Sequence, residues 1–294
     1  MDILWSLEGI RTPFWNTFFE LITRFGEETI LIVAFCVVFW SISKRIGYVM
    51  GVSFFLSSLV VQGMKIIFRI PRPWVADPNF YPVQGVVSEA TGYAFPSGHT
   101  QNAAALLGSL GIQIKQNLVK IILFSLVLLV AFSRLYLGVH YLLDVVVSLL
   151  LTGVIVFFAY KVLAKEPESK KKELTLPLII LSCAVMVMML IAYLYHNDIT
   201  EVEQLRDSSR AAGAAIGFAI GMYIERVYIQ FSVKAKNISY QIIKVLIGIV
   251  GVLIFQEGLR FLGSGLIGDS VRYFLIVIWI IVIYPLIIKK MLNK

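Results

Sequence analysis

Charge is scarce in this chain: 15% of its 294 residues are Asp, Glu, Lys or Arg, against 59% apolar. Soluble domains carry about 25% charged and about 45–50% apolar residues, so this shortage excludes a single water-soluble domain and a disordered tail. Cysteine is scarcer still. Cys36 and Cys183 both sit inside apolar runs without CxxC spacing, which excludes a disulfide-stapled module and a thiolate metal site. The first residues lack the basic start of a signal peptide, and Asp2, Glu8, Arg11, Glu20 and Arg24 interrupt them. Histidine occurs three times, at 99, 140 and 196.

What the chain has is hydrocarbon, with a mean hydropathy of +0.84. The apolar residues fall into separate runs, and a helix needs about 20 of them to cross a bilayer. The expected fold is all-α: a polytopic helical membrane protein of about nine transmembrane helices behind an N-terminal amphipathic interfacial helix. The spans are read at 29–43, 47–69, 98–114, 118–137, 140–162, 175–195, 209–230, 241–261 and 271–289. Trp15, Phe18, Phe19, Ile22 and Phe25 recur at helical steps in the N-terminal segment, which suggests a helix lying on the membrane. Four regions follow: interfacial segment 1–28, catalytic core 29–163, charged linker 164–174 and four-span extension 175–294.

The net charge of +8 points first at topology, not nucleic acid. Alternating spans place Lys44, Arg45, Lys115, Lys120, Lys161, Lys289 and Lys290 on one side, with Lys165 and Lys170–Lys172 of the linker. That side is expected to be cytoplasmic. The other side receives the 70–97 loop, the acidic stretch 198–203 and Asp269.

Three polar clusters converge on that outer side. Lys65 and Arg72 stand where span 2 ends, Ser97-Gly98-His99 where span 3 begins, and Arg134, His140 and Asp144 between spans 4 and 5. Ionisable groups at membrane depth mark function. Lys65, Arg72 and Arg134 are three cations suited to a phosphoryl group, with Arg adding two-pronged hydrogen bonding. Ser97 occupies an N-cap position and Gly98 leaves the first helical N–H groups open to an anion. His140 and Asp144, four apart on one helix face, read as a nucleophile and its orienting carboxylate. His99 reads as the acid for the leaving oxygen. Arg69 reads as a snorkelling residue, and His196 as structural.

Lys65-x6-Arg72-Pro73, Pro96-Ser97-Gly98-His99 and Ser133-Arg134-x5-His140-x3-Asp144 resemble the three-part signature of the type 2 phosphatidic acid phosphatase superfamily. The resemblance covers about residues 60–150 and implies a metal- and cofactor-independent phosphatase working through a phosphohistidine. It implies His140 as nucleophile, Asp144 as its orienter, His99 as general acid, and Lys65, Arg72, Ser97, Gly98 and Arg134 as holders of the phosphoryl oxygens. The chain departs from the roughly six-span members in its four additional spans, a layout similar to glucose-6-phosphatases and sphingosine phosphate phosphatases.

The aromatic residues Trp74, Phe80, Tyr81, Tyr93 and Phe95 suggest an interfacial collar. They favour a membrane lipid phosphate or diphosphate as substrate, with the bilayer as the other partner and no nucleic acid. A soluble sugar phosphate is the second reading, and a non-catalytic phosphate-lipid transporter a third. Gly213, Gly217 and Gly221 form a small-residue face, read as packing within the monomer rather than between two copies of a homodimer. Gln256, Glu257 and Arg260 read either as a head-group reader or as a helix-end cluster. The expected location is a bacterial plasma membrane with an extracytoplasmic site, or an endoplasmic reticulum membrane with a lumenal one.

Overall fold

The apolar runs become helices, and of the long ones the two most enclosed by protein are Lys44–Phe68 and Val202–Ile224. The computed structural model describes residues 1–88, 90–164, 173–235, 237–262 and 265–292, which are helical with no strand. Lys165 and Lys170–Lys172 of the charged linker lie outside the described residues. In chain order the helices are α1 (Asp2–Glu8), α2 (Pro13–Thr23), α3 (Glu28–Val37), α4 (Lys44–Phe68), the turn α5 (Pro73–Ala76) and α6 (Gly98–Ala103). Then come α7 (Asn117–Tyr136), α8 (Leu142–Leu163), α9 (Thr175–His196), α10 (Val202–Ile224), α11 (Ile238–Gly258), α12 (Leu266–Ile278) and α13 (Tyr284–Leu292). A wider π turn, Ala104–Gly108, and Ser109–Gln113 continue α6.

Among the described residues, seven helices are long and apolar enough to cross a membrane, or eight if the bent pair Pro13–Gly26 and Glu28–Ile42 is one span. The nine-span expectation exceeds this count because the segments at 28–42 and 98–113, though helical, are short. At 1.5 Å per residue the second is about 24 Å long, less than a hydrocarbon core of about 30 Å. It needs no lipid-spanning length, because every residue from Thr100 to Ser109 is buried against other helices. The N-terminal segment is likewise two helices in place of one. Thr12 caps α2 with Pro13 at its first position, and the α2–α3 junction bends by 49°.

The 70–97 loop is not an open aromatic collar. Phe80 and Phe95 are buried, Phe80 edge-on to Trp5 and beneath Arg11, Phe95 edge-on to Phe68. Tyr81 stays exposed. Two of its five rings are thus buried against Trp5 and Phe68 of other elements, because a long connection must bury apolar area to hold one shape.

The C-terminal helices join the core through α10, which packs against α4, α9 and α12. The packing within the chain expected of Gly213, Gly217 and Gly221 is present. A Cβ on Gly213 would stand 2.1 Å from the Ser270 carbonyl oxygen, and one on Gly217 2.8 Å from that of Phe274. Gly213→Ala is therefore expected to lower stability by about 1–3 kcal/mol, as overpacking does, read from thermal unfolding in detergent. An unchanged melting temperature would remove this account of the α10–α12 seam.

α10 also begins at Val202, seven residues before the expected 209, because its polar first turns find partners. Asp269, expected in an outer loop, is fully buried in the first turn of α12, paired with Arg206, Arg210 and Arg272 at 2.8–3.2 Å. Burial without those partners would be prohibitive for a carboxylate. At the other end of α4, buried Glu225 accepts from Lys44 at 2.8 Å and from the Tyr48 hydroxyl. Arg69 is exposed, and Glu257 with Arg260 forms an exposed pair at 3.0 Å, the helix-end reading.

Candidate active site

The three polar clusters meet at one end of the bundle. α4 delivers Lys65 in its last turn, α7 delivers Arg134 in its last turn, and α6 begins there with Ser97 as N-cap. The α7–α8 connection is only five residues, 137–141, and reverses direction at Gly138, whose φ of +78° favours glycine. A side chain there would also strike Arg11 and Phe80.

His140 and Asp144 meet, though not by sharing a helix face. α8 starts at Leu142, so His140 lies in the loop and Asp144 reaches back from the first turn. Its Oδ2 accepts from the Tyr141 N–H at 2.8 Å and lies 3.2 Å from His140 Nδ1. A helix-capping contact, not i,i+4 stacking, brings the pair together.

The geometry also assigns the imidazole proton. Arg72 Nη1 lies 2.9 Å from His140 Nε2, and a guanidinium only donates. Nε2 must therefore present its lone pair, which leaves the proton on Nδ1, facing the carboxylate. The same Nη1 donates to the Val139 carbonyl at 2.9 Å, while Nη2 and Nε donate to the carbonyls of Thr91 and Gly92 at 2.6 and 3.1 Å. Arg72 thus pins the end of the 70–97 loop to the His140 loop. Lys65 Nζ adds a bond to the Tyr93 carbonyl at 2.5 Å.

Ser97 is fully buried, and its hydroxyl accepts from the Thr100 N–H at 3.4 Å. Its carbonyl accepts from Gln101 N–H and from the Ser148 hydroxyl, while its own N–H donates to the Asp144 carbonyl at 3.1 Å. The helix start is thereby locked to α8. The N–H groups of Gly98 and His99 precede the first intrahelical bond and remain free for an anion. A Cβ on Gly98 would meet nothing within 4 Å. His99 Nε2 is buried with no hydrogen-bond partner among the described residues. Arg134, 1% exposed, donates to the Thr23 hydroxyl at 2.6 Å.

Lys65, Arg72, Gly98, His99, Arg134 and His140 line one polar cavity. Burying three cations in one wall is costly unless an anion answers them. Burial first, then the charges of Arg72, Arg134 and Lys65, hold the loop residue His140 well below the ordinary imidazole value of 6.5. The same cavity is lined by Glu28, Asp207 and Arg210, which the sequence motifs do not include. Asp207 accepts from the Thr91 hydroxyl at 2.7 Å and from Arg210 at 3.0 Å. A run of charged residues at the head of an otherwise apolar helix is the available signal for them. Thr23, which buttresses Arg134, has none. His196 lies at the C-terminal end of α9, outside this cavity.

Residues 46–168 match the PAP2 superfamily, and residues 209–293 match the description "PAP2 superfamily phosphatase, transmembrane extension". Sphingosine-1-phosphate phosphatase 2 of Mus musculus is 24% identical over 231 residues, 74% of this chain and 61% of that protein. Lipid A 4'-phosphatase of Porphyromonas gingivalis is 27% identical over 169 residues, 55% of this chain and 71% of that protein. Phosphatidylglycerophosphatase B of Haemophilus influenzae is 29% identical over 156 residues, 38% of this chain and 64% of that protein. The chain thus spans less than two thirds of the mouse and Haemophilus proteins. The crystal structure of a PAP2-type phosphatidylglycerolphosphate phosphatase from Bacillus subtilis is 25% identical and superposes with a TM-score of 0.48, covering 57% of this chain and 85% of that one. With its site-bearing segment and its C-terminal helices both matched, the chain belongs to the PAP2 superfamily.

Proposed function

We propose that the protein hydrolyses a membrane lipid phosphate or diphosphate through a phosphohistidine. The observation that carries this reading is the placement of His140, with Nε2 2.9 Å from Arg72 Nη1 and Nδ1 3.2 Å from Asp144 Oδ2, from which a lone pair on Nε2 follows. Nε2 attacks phosphorus, the phosphorus–oxygen bond to the lipid breaks, and His99 gives the departing oxygen a proton. Water then attacks the phosphohistidine, returning that proton to His99 and releasing phosphate. Lys65, Arg72, Arg134 and the N–H groups at Gly98 and His99 carry the charge on the transferring oxygens, where preorganised donors contribute most. As phosphate enters, one of its oxygens replaces His140 Nε2 as acceptor of the Arg72 bond.

The site lies at the outer face in this reading. Lys44 and Arg45 open α4 at the end away from Lys65, and Lys161 closes α8 at the end away from Asp144. Lysine at the far helix ends favours a cytoplasmic far side.

Purified protein is expected to release phosphate from a lipid phosphate with EDTA present, and vanadate, a mimic of the five-coordinate phosphorus, should inhibit it. Loss of turnover on chelation would overturn the cation-only site. A panel of phosphatidate, polyprenyl diphosphate, sphingosine phosphate and glucose 6-phosphate separates lipid from sugar substrates.

The lowered pKa of His140 has a sign that can be checked. A group held below 6.5 stays neutral, hence nucleophilic, as pH falls through 6.5. After correction for the substrate's own ionisation, kcat/KM is expected not to fall as pH drops through 6.5, because the acid limb set by His140 lies lower. An acid limb centred above 6.5 would contradict the buried, cation-flanked imidazole.

A further inference from the structure

The polar cavity does not end at the motif residues. Glu28, Thr29, Ser58, Arg210 and Tyr273 line it and equally line a second, almost wholly apolar cavity. The two compartments therefore adjoin, with these five residues at the neck between them. Beyond the neck, α3 and α4 contribute Ile32, Phe35, Cys36 and Phe55 to the apolar walls, and the C-terminal helices contribute Ala211, Ala214, Val252, Ile276 and Ile280. The lining runs from Glu28 to Cys36 on one side and from Tyr273 to Ile281 on the other. Eight residues of helix rise about 12 Å, so the cavity is deep and elongated along the helices.

Val33 and Leu253 also line it, and they are 39% and 52% exposed, so the cavity is not sealed there. Its other end adjoins the phosphate site. At the neck, Arg210 Nε is buried with no hydrogen-bond partner among the described residues, a donor suited to an oxygen between phosphate and chain.

We propose that this cavity receives the hydrocarbon chain of the substrate, and that the C-terminal helices exist in the enzyme as one wall of the substrate site. The inference rests on the phosphatase reading for the identity of the head group. A bilayer is as apolar as the cavity, so moving a chain between them gains little free energy. What the cavity adds is shape: it holds the chain, and through it the phosphate, at a fixed place relative to His140. A soluble sugar phosphate has nothing to put there.

The test uses the full-length protein in nanodiscs, with dodecyl phosphate as the chain-bearing substrate and phenyl phosphate as the chainless one. Ala211→Phe narrows the cavity from α10, and Val33→Trp narrows it from the exposed side of α3, where folding tolerates the change. Either variant should lower kcat/KM for dodecyl phosphate about tenfold or more and leave phenyl phosphate within about twofold. A parallel loss on both substrates by folded protein, or no loss on either, would overturn the chain site.

Dodecyl phosphate carrying a terminal diazirine gives a readout independent of catalysis. Adducts are expected on the cavity lining, at Cys36, Val252 or Ile280. Adducts confined to outward-facing residues such as Leu150 and Val154 of α8 would sink the proposal even if hydrolysis is robust. Cavity labelling by a protein that hydrolyses neither phosphate would retain the chain site and reject the phosphatase reading.

Discussion

Replacing His140 with alanine is expected to lower turnover by on the order of 10⁴-fold or more, the scale set by removing a covalent nucleophile. Its neighbours have other tasks in this reading: Lys65, Arg72 and Arg134 hold the phosphoryl oxygens, His99 serves the leaving oxygen, and Asp144 stays engaged by the Tyr141 N–H. The acid-labile phosphoenzyme formed from labelled substrate should vanish with the activity. The variant leaves Asp144 buried with one partner fewer, so thermal unfolding must accompany the assay to separate lost chemistry from lost fold. A folded His140→Ala protein with full activity would end the phosphohistidine assignment.

Asp144→Asn should reduce kcat by about 10²–10³-fold while the protein keeps its fold, the scale of removing one preorganised electrostatic partner. The geometry says why. Asp144 Oδ2 lies within reach of both the Tyr141 N–H and His140 Nδ1. An amide that keeps its oxygen at that position still satisfies both donors and leaves the lone pair on Nε2. What it removes is the negative charge beside the imidazole, which is needed as bond formation to phosphorus makes the ring cationic. Single-turnover measurements at saturating substrate would show a slowed first step with binding retained. A fall of less than about tenfold would mean that the carboxylate's charge does little for that step.

Both predictions rest on residues that are legible in the amino-acid sequence. Lys65, Arg72, Ser97, Gly98, His99, Arg134, His140 and Asp144 carry chemistry too costly to place at membrane depth without purpose, and the apolar runs between them force their segments to one end of the bundle. Ser97 as a cap follows from its position before Gly98, and it is one. The relation of His140 to Asp144 is half legible. Their nearness follows from their spacing, but its cause is a capping carboxylate, because the helix begins two residues after the histidine. Span number is legible only to the extent that length and hydropathy decide it. The segment at 98–113 is helical but enclosed by protein, and hydropathy does not distinguish burial in protein from burial in lipid.

By itself the sequence determined that this protein lives in a membrane, and it singled out the eight residues proposed to carry phosphate chemistry, since composition and charge position are properties of the chain. Tertiary structure alone decided that Glu28, Asp207 and Arg210 line one cavity with His140, and that α10 to α12 wall an adjoining apolar chamber. Those residues come from elements far apart in the chain. Their adjacency is set by close backbone approach at Gly213 and Gly217 and by three arginines gathered on buried Asp269. Such contacts depend on shape and on paired burial of charge between distant helices, and no local spacing encodes them.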